Sequence, residues 1–282
     1  MSLLPTLVTV VHGRHDHLGR QRAWIAAMDP APPRHVVVAM GDPGVADVLE
    51  QFPAVPTTLV ELAVDGELPL AAARNAGVAA ATAAGASTVA LLDVDCLPAA
   101  SLAGDYATAL DRVAAHPGPS VLCGRVRYLP EGLTDADHTP NRLATVGRDH
   151  PLRVVPDDDT PVPGDPRLLW SLNFATRTDA WHRIGGFDEA YVGYGGEDTD
   201  FGQRLAAAGG TMWWIRGGLA YHQWHPSASP PVQHAAAIAR NANLFAARWG
   251  FEPMEGWLAA LAELGVLQRT GEGWQVVADR SS

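Results

Sequence analysis

The chain contains little cysteine, no excess of positive charge and no long uninterrupted apolar stretch, and each absence narrows its class. Two cysteines, Cys96 and Cys123, are too few for a disulfide framework or a thiolate zinc site, and they favour a reducing compartment. The formal net charge of -11 disfavours a nucleic-acid partner, because such proteins usually present a basic face. The N-terminal residues lack a basic segment and are interrupted by Pro5, which argues against a signal peptide. We therefore expect a cytoplasmic globular protein without a transmembrane segment.

What the chain does contain, in its first hundred residues, is an alternation of strand-like and helix-like segments. The β-branched runs at 6–11 and 35–40 are typical of strands buried on both faces, and two further strands are expected at 57–62 and 88–92. Between the first two strands, residues 18–28 place apolar side chains at helical spacing. Before the last strand, an alanine-rich segment at 69–85 also predicts a helix. This order predicts an α/β fold with a mainly parallel, Rossmann-like sheet flanked by helices. In such sheets ligands bind beyond the carboxyl ends of the strands.

The second half of the chain is less regular. Strands are expected at 120–129, 168–177 and 211–226, and helices at 178–187, 197–210 and 232–250. Residues 129–167 are expected to form a loop, since they are rich in proline, aspartate and glycine. A helix and a small hairpin are expected after residue 250.

Two polar clusters in the first half are candidates for the chemistry. His12, His15 and His17 resemble a metal-binding tract, but rings on a turn do not converge without help, which favours a structural or nucleotide-contacting loop. Asp93 and Asp95 directly follow the fourth strand. Residues two apart on an extended chain point to the same side, so this pair could share one ligand. The alternative is that the two acids only mark the point where a strand reaches the surface.

A third cluster, GYGGEDTDF, lies in the second half. Its glycines allow close backbone approach, and Glu197 and Asp198 follow them at a predicted helix start. Acidic residues are favoured at helix N-termini for local reasons alone, so a simple helix start is the alternative here.

The order of these segments resembles that of the GT-A type nucleotide-sugar glycosyltransferases. The resemblance rests on ARNAG, LLDVDC, the long segment NFATRTDAWHRIGGFDEAYVGYGGEDTDF, and AYHQWH, and it covers about residues 6–250. It is most apparent for the inverting enzymes that include β-1,4-galactosyltransferases and bacterial chondroitin polymerases. The resemblance implies one GT-A domain at 1–250, with a nucleotide-binding half at 1–98 and an acceptor and catalytic half at 99–250. Residues 251–282 would form a small C-terminal extension.

The resemblance also implies a role for each matching residue. Asp95 and His222 would ligate a divalent metal, with His225 as the alternative to His222. Asp198 would be the catalytic base, and Glu197 would help to hold the acceptor or sugar. The nucleotide-binding set would be His12, Arg14, Asp42, Arg74, Asp93 and Asn173.

Elementary chemistry agrees with these roles. A departing nucleoside diphosphate needs positive charge, which a divalent ion can supply, and an imidazole ligand shifts the preference from Mg²⁺ toward Mn²⁺. An acceptor hydroxyl needs a carboxylate to take its proton. The implied activity is an inverting hexosyl transfer from a nucleotide-diphosphate sugar, with a UDP-sugar favoured, to a saccharide or small-molecule acceptor. The alternatives are a metal-dependent nucleotidyltransferase and a non-catalytic sugar-nucleotide-binding module.

Overall fold

A computed structural model of the protein describes residues 3–277. Its strands are β1 (Thr6–Val11), β2 (His35–Met40), β3 (Thr57–Leu62), β4 (Thr88–Leu92), β5 (Cys96–Pro98), β6 (Ser120–Cys123), β7 (Val126–Tyr128), β8 (Arg148–Asp149), β9 (Val162–Pro163), β10 (Asn173–Arg177), β11 (Thr211–Trp214), β12 (Ala220–His222), β13 (Leu267–Thr270) and β14 (Gly273–Val276). Its α-helices are α1 (His15–Ala26), α2 (Gly44–Gln51), α3 (Leu70–Ala83), α4 (Leu102–Arg112), α5 (Pro140–Val146), α6 (Thr178–Ile184), α7 (Glu197–Ala207), α8 (Ala235–Trp249) and α9 (Glu255–Glu263). Short 3₁₀ helices occupy Asp135–Asp137, Pro166–Leu168 and Val232–His234.

The central sheet has the strand order β3-β2-β1-β4-β10-β6-β11-β9. The pairs β1 with β2, β2 with β3, β1 with β4, and β6 with β11 are parallel, whereas β10 runs antiparallel between β4 and β6. The predicted mainly parallel α/β sheet is confirmed. The carboxyl ends of β1, β2, β4, β6 and β11 therefore meet at one edge.

Helices cover both faces of this sheet because its strands are apolar on both sides. Strands β1, β2 and β4 are buried along their whole length. Helix α3 approaches β1 and β2 closely at Gly77, where an added Cβ would lie 2.4 Å from Val8 Cγ1 and 3.0 Å from Val38 Cγ2. The alanine-rich sequence of α3 thus serves close helix packing above the first strands.

A second, smaller sheet stands beside the carboxyl edge, with the order β5-β12-β7-β8. In it His222 of β12 is in register with Cys96 of β5 on one side and with Tyr128 of β7 on the other. This pairing brings the end of the chain's AYHQ segment next to the residues that follow β4.

The C-terminal elements pack on one another through α8. Ile238 and Ala242 of α8 share an apolar cluster with Leu258 and Leu261 of α9 and with Leu267 of β13. No helix within residues 3–277 is both long and apolar enough to cross a membrane.

The structure corrects several expectations. Helix α2 was not predicted, and residues 129–167 contain α5 and two short strands rather than loop alone. The expected strands at 120–129 and 211–226 each divide into two strands that belong to different sheets. Each strand is interrupted where the two segments cross at glycines, Gly124 between β6 and β7 and Gly218 between β11 and β12. The crossing is so close that a Cβ on Gly124 would lie 2.3 Å from the carbonyl oxygen of Gly218.

Candidate active site

Three side chains from distant parts of the chain converge beyond the carboxyl edge of the sheet. Asp95 Oδ1 lies 3.5 Å from His222 Nε2, and Asp95 Oδ2 lies 3.4 Å from His225 Nε2. One ligand atom from each residue lies within 4.8 Å of the others. We call these three residues the triad. A carboxylate with two imidazoles is a donor set that suits a divalent transition ion, so the residues fit the metal that the resemblance implied.

Burial and neighbouring charges set the protonation of Asp95 and His222. Burial alone would raise the pKa of Asp95, but His222, His225 and Arg14 outweigh it and lower that pKa to about 2. Burial lowers the pKa of His222 by more than Asp95 raises it. An ionised carboxylate beside a neutral imidazole is the protonation state in which both groups can ligate a cation.

The two acids of the DVD segment lie on a tight turn. Residues 93–96 leave the strand, and the Cys96 N–H donates to the Asp93 carbonyl at 2.9 Å. The expectation that the two acids lie on an extended strand is therefore wrong, because they stand in a turn between β4 and β5. Asp95 faces the histidines, whereas Asp93 faces Arg74.

A buried glutamine fixes this turn, and sequence reasoning missed it. Gln21 Nε2 donates to the carbonyl oxygens of Asp93 at 2.8 Å and Cys96 at 2.9 Å. Gln21 lies between Leu18 and Ile25 on the buried face of α1. A polar residue within an apolar helix stripe was the signal that could have identified it.

Arg74 joins three carboxylates at the same edge. Its guanidinium lies 3.1 Å from Glu197 Oε1, 3.6 Å from Asp93 Oδ1 and 3.7 Å from Asp198 Oδ1. Arg74 is only 5% exposed. We call these four residues the Arg74 cluster. Three acids and one base leave the cluster short of positive charge, which a bound substrate or cation could supply.

Burial sets the protonation of the cluster. It raises the pKa of Asp93 to about 6 and that of Glu197 to about 7, and in both cases Arg74 only partly opposes it. Burial also raises the pKa of Asp198, again against Arg74. Carboxyl groups with raised pKa values in a cleft are suited to proton transfer near neutral pH.

Asp198 is hydrogen-bonded through one carboxylate oxygen, while the other only forms the longer ion pair with Arg74. Its Oδ2 accepts from the Ser171 backbone N–H at 3.1 Å. Its Oδ1 is buried and has no hydrogen-bond partner among the residues the structure describes. The contact with Ser171 was not predicted, since the two residues are 27 positions apart. Oδ1 therefore has an unused acceptor site next to the Arg74 guanidinium.

The glycine segment before Asp198 needs glycine for its backbone conformation. Gly195 and Gly196 have φ values of 91°, and α7 begins directly after them. Asn241 of α8 donates to the Gly195 carbonyl at 2.8 Å and to the Val192 carbonyl at 3.1 Å. The glycine segment is thus held in place by helix α8. As expected, Glu197 and Asp198 stand in the first turn of a helix.

Of the predicted nucleotide-binding residues, the loop after β1 supplies two. Arg14 Nη1 lies 3.6 Å from Asp95 Oδ2, and the His12 ring bonds to the Met40 carbonyl at 2.7 Å. Asp42 accepts from the Gly13 N–H at 2.7 Å and from the His15 ring at 2.9 Å. His12, Arg14 and Asp42 thus lie around one loop at the sheet edge.

Asn173 has a different place. It is fully buried, its Nδ2 donates to the Gly218 carbonyl at 2.6 Å, and its Oδ1 accepts from the Tyr106 hydroxyl at 2.7 Å. Its side chain joins three core segments, so we do not retain Asn173 in the nucleotide-binding set. The inward direction of the Asn173 side chain could not be predicted from the sequence. The sequence pattern places Asn173 on a strand but does not give the direction of its side chain.

Comparison with known proteins identifies the fold. Residues 164–224 match the sequence profile of the family described as the N-terminal domain of galactosyltransferase. A 103-residue stretch is 31% identical to chondroitin synthase of Pasteurella multocida and spans 36% of this chain but only 11% of that protein. Among solved structures, S. aureus TarS 1-349 in complex with UDP-GlcNAc has a TM-score of 0.61 at 13% identity, covering 92% of this chain and 71% of that chain. Mannosyltransferase PcManGT of Pyrobaculum calidifontis, in complex with GDP-Man and Mn²⁺, has a TM-score of 0.55 at 18% identity, covering 92% and 75%.

The chain has the GT-A glycosyltransferase fold. The match to the galactosyltransferase profile includes Glu197, Asp198 and His222 but ends before His225 and does not reach Asp93 or Asp95. Within this GT-A fold, the triad and the Arg74 cluster stand side by side at the carboxyl edge, linked by the turn that carries both acids of the DVD segment.

Proposed function

We propose that this protein is an inverting, metal-dependent glycosyltransferase. It moves a hexose from a nucleotide-diphosphate sugar to a hydroxyl of a saccharide or small-molecule acceptor. The observation that carries this proposal is that Asp95, His222 and His225, a donor set that could hold a cation, converge near Asp198, a buried carboxylate with one oxygen that lacks a hydrogen-bond partner, at one sheet edge. The sugar nucleotides in the TarS and PcManGT structures, UDP-GlcNAc and GDP-Man, support a donor of this class.

The donor side of the proposed site lies in residues 1–98, with His222 and His225 added from the acceptor half. Asp95, His222 and His225 would hold a divalent ion, which when bound supplies positive charge to the diphosphate leaving group. Two imidazoles favour Mn²⁺ over Mg²⁺, and Mn²⁺ is the ion in the PcManGT structure. Arg14, beside Asp95, adds a second positive charge. We favour UDP as the nucleotide.

Asp198 performs the proton transfer in this mechanism. The acceptor hydroxyl donates a hydrogen bond to Oδ1, and its oxygen attacks the anomeric carbon of the donor. The O–H bond breaks and the proton passes to Asp198, while the bond from the anomeric carbon to the diphosphate oxygen breaks and its electron pair leaves with the nucleoside diphosphate. Because attack and departure take place on opposite faces, one displacement inverts the anomeric centre. An α-linked donor therefore gives a β-glycoside.

Arg74 and Glu197 prepare Asp198 for this step. Arg74 donates to Glu197 at 3.1 Å and lies slightly farther from Asp198, so it favours the ionised base without covering Oδ1 by a short hydrogen bond. Glu197, with a pKa of about 7, can accept from or donate to a sugar hydroxyl. Ser171 fixes the rotation of the Asp198 carboxylate.

A panel of UDP-, GDP- and dTDP-sugars with Mn²⁺ tests the proposal, scored first for slow hydrolysis and then for transfer to simple glycosides. We expect a nucleoside diphosphate as product, and loss of turnover in Asp95→Asn and in excess chelator. A nucleotidyltransferase would instead release pyrophosphate from a nucleoside triphosphate and sugar phosphate. A sugar-nucleotide-binding module would bind the donor without releasing any nucleotide.

A further inference from the structure

Four polar side chains lie buried behind the turn that carries Asp95. Each is at most 2% exposed, and they are Gln21 and Arg22 of α1, Thr9 of β1 and His35 of β2. Their hydrogen bonds run in series, from Arg22 Nη1 to His35 Nδ1 at 3.0 Å, from His35 Nε2 to Thr9 Oγ1 at 2.9 Å, and from Thr9 Oγ1 to Gln21 Oε1 at 3.1 Å. We call these four residues the polar network. None of them belongs to the triad or to the Arg74 cluster, so the proposed mechanism does not use them.

Arg22 determines the direction of these hydrogen bonds. A guanidinium can only donate, so His35 Nδ1 accepts and the ring carries its hydrogen on Nε2. Burial and Arg22 lower the pKa of His35 to about 3, so the ring is neutral and has this one hydrogen to donate. Thr9 accepts it. The hydroxyl hydrogen of Thr9 is then left for Gln21 Oε1 and for the Leu92 carbonyl, at 3.1 and 2.9 Å.

Gln21 is thereby oriented with its amide nitrogen toward the turn. Its Oε1 faces the Thr9 hydroxyl. Its Nε2 donates one hydrogen to each of the Asp93 and Cys96 carbonyls. An inverted amide would place an oxygen against two carbonyl oxygens, with no hydrogen between them. Asp93 and Cys96 stand on either side of Asp95 in the chain, so a single amide group ties both ends of the turn from which the Asp95 carboxylate extends.

Backbone hydrogen bonds hold the turn in addition to Gln21. The Asp93 N–H donates to the Leu172 carbonyl at 3.0 Å, and the Asp95 carbonyl accepts from the Gln223 N–H at 2.7 Å. These bonds do not involve Gln21, so its loss should displace the turn rather than unfold it. Distances between a metal and its ligands are defined to within about 0.2 Å, so a small displacement of Asp95 is enough to weaken metal binding.

We infer that the polar network sets the affinity of the triad for its divalent ion, with Gln21 as the positioning residue for Asp95. The inference rests on the proposed function, because it assumes that the triad holds a metal. Residues that hold a metal ligand in place without touching the ion affect metal affinity strongly in other proteins. Here the support acts on the backbone at both sides of the ligand, and it reaches from α1 through two strands of the central sheet.

Calorimetric titration of the protein with Mn²⁺ tests this inference. Gln21→Met keeps the length of the side chain but removes both donors, and should weaken Mn²⁺ binding by at least about 10-fold. Gln21→Glu should weaken it at least as much, since its oxygens would face the two carbonyls. Thr9→Val, which is isosteric, should cost about 2- to 5-fold, as for part of one hydrogen bond. The double variant should bind Mn²⁺ as Gln21→Met does, because Thr9 acts through Gln21.

Thr176→Val is the matched control for Thr9→Val. Thr176 is also 0% exposed on a strand of the central sheet, and its hydroxyl donates to the Ser120 carbonyl at 2.8 Å. It pairs with Val89, near the start of β4 and thus at the end of that strand away from the turn. Thermal unfolding without Mn²⁺ should show a lower Tm for both threonine variants, since each loses a buried hydrogen bond. Only Thr9→Val should also bind Mn²⁺ more weakly.

Native Mn²⁺ affinity in folded Gln21→Met would overturn the inference and leave the proposed function standing. Additive losses in the double variant, or equal losses in the two threonine variants, would overturn it as well. If Gln21→Met does not fold, the comparison of Thr9→Val with Thr176→Val decides. Failure of the native protein to bind Mn²⁺ would instead refute the triad as a metal site, and with it both the inference and the metal dependence of the proposed function.

Discussion

Replacement of Asp198 by asparagine tests the proposed base most directly. The change keeps the shape of the side chain and removes its basicity. If Asp198 takes the proton of the acceptor, turnover should fall by about 100- to 10,000-fold. If it only begins a helix, turnover should be unaffected, because asparagine is as favourable as aspartate near a helix N-terminus.

The structure predicts that this variant folds normally. The side-chain oxygen of asparagine can still accept from the Ser171 N–H, as Asp198 Oδ2 does at 3.1 Å in the native protein. The substitution removes the ion pair with Arg74 at 3.7 Å, while Arg74 keeps its closer partner Glu197 at 3.1 Å. In addition, the pKa of Asp198 is raised by burial, so its ionised form costs stability at neutral pH. We therefore expect the free energy of unfolding to change by less than about 1 kcal/mol.

The assay measures kcat, KM and donor affinity for both proteins across pH. Donor affinity should stay within about twofold, since Asp198 interacts with the migrating proton chiefly in the transition state. In the native protein, kcat/KM should fall as the pH decreases through about 7, because the Arg74 cluster then takes up a proton; the apparent pKa belongs to the cluster as a whole. The residual activity of the variant should lack this decrease.

Asp179→Asn is the matched control, since Asp179 is an exposed acid in the first turn of α6, away from the site. Its turnover should equal that of the native protein. Turnover of Asp198→Asn within about threefold of native, or an α-linked product from an α-linked donor, would refute the assignment of Asp198 as the base.

Three further predictions concern the buried charges. Arg74→Met should lower the free energy of unfolding by about 3 to 5 kcal/mol at pH 8, and by less at pH 5 where the carboxyl groups are protonated, as measured by urea titration; equal losses at both pH values would contradict this. His222→Ala and His225→Ala should each weaken Mn²⁺ binding by at least about 10-fold in calorimetry, since both rings lie near Asp95, whereas the exposed His182→Ala should not. Burial and Arg22 lower the pKa of His35 to about 3, so below pH 6.5 the unfolded chain binds a proton that the folded protein does not. The native protein should therefore lose stability more steeply than His35→Gln as the pH falls from 6.5 toward 3, and parallel curves would refute this.

Local patterns in the sequence were sufficient for the framework of the protein. Strands of the central sheet are short runs rich in β-branched and apolar residues, so the buried strands β1, β2 and β4 and the half-buried β3 could be located to the residue. Parallel order then placed Asp93 and Asp95 at the carboxyl edge, since strand ends in such a sheet share one side. The order of motifs along the chain was enough to identify the GT-A resemblance.

Side-chain direction and partner choice were decided only by the tertiary structure. Arg74 meets Glu197, which is 123 residues away, because α3 and α7 lie on the same sheet, and no local pattern encodes that distance. Asn173 points into the core, and Arg153 is buried although its segment was expected to be loop. A sequence pattern reports how often a residue faces the interior, whereas a contact depends on the packing of both elements at once. That is why the sequence by itself determined which strand ends bear the acids, and only the folded chain decided that Asp95 faces two histidines while Asp93 faces an arginine.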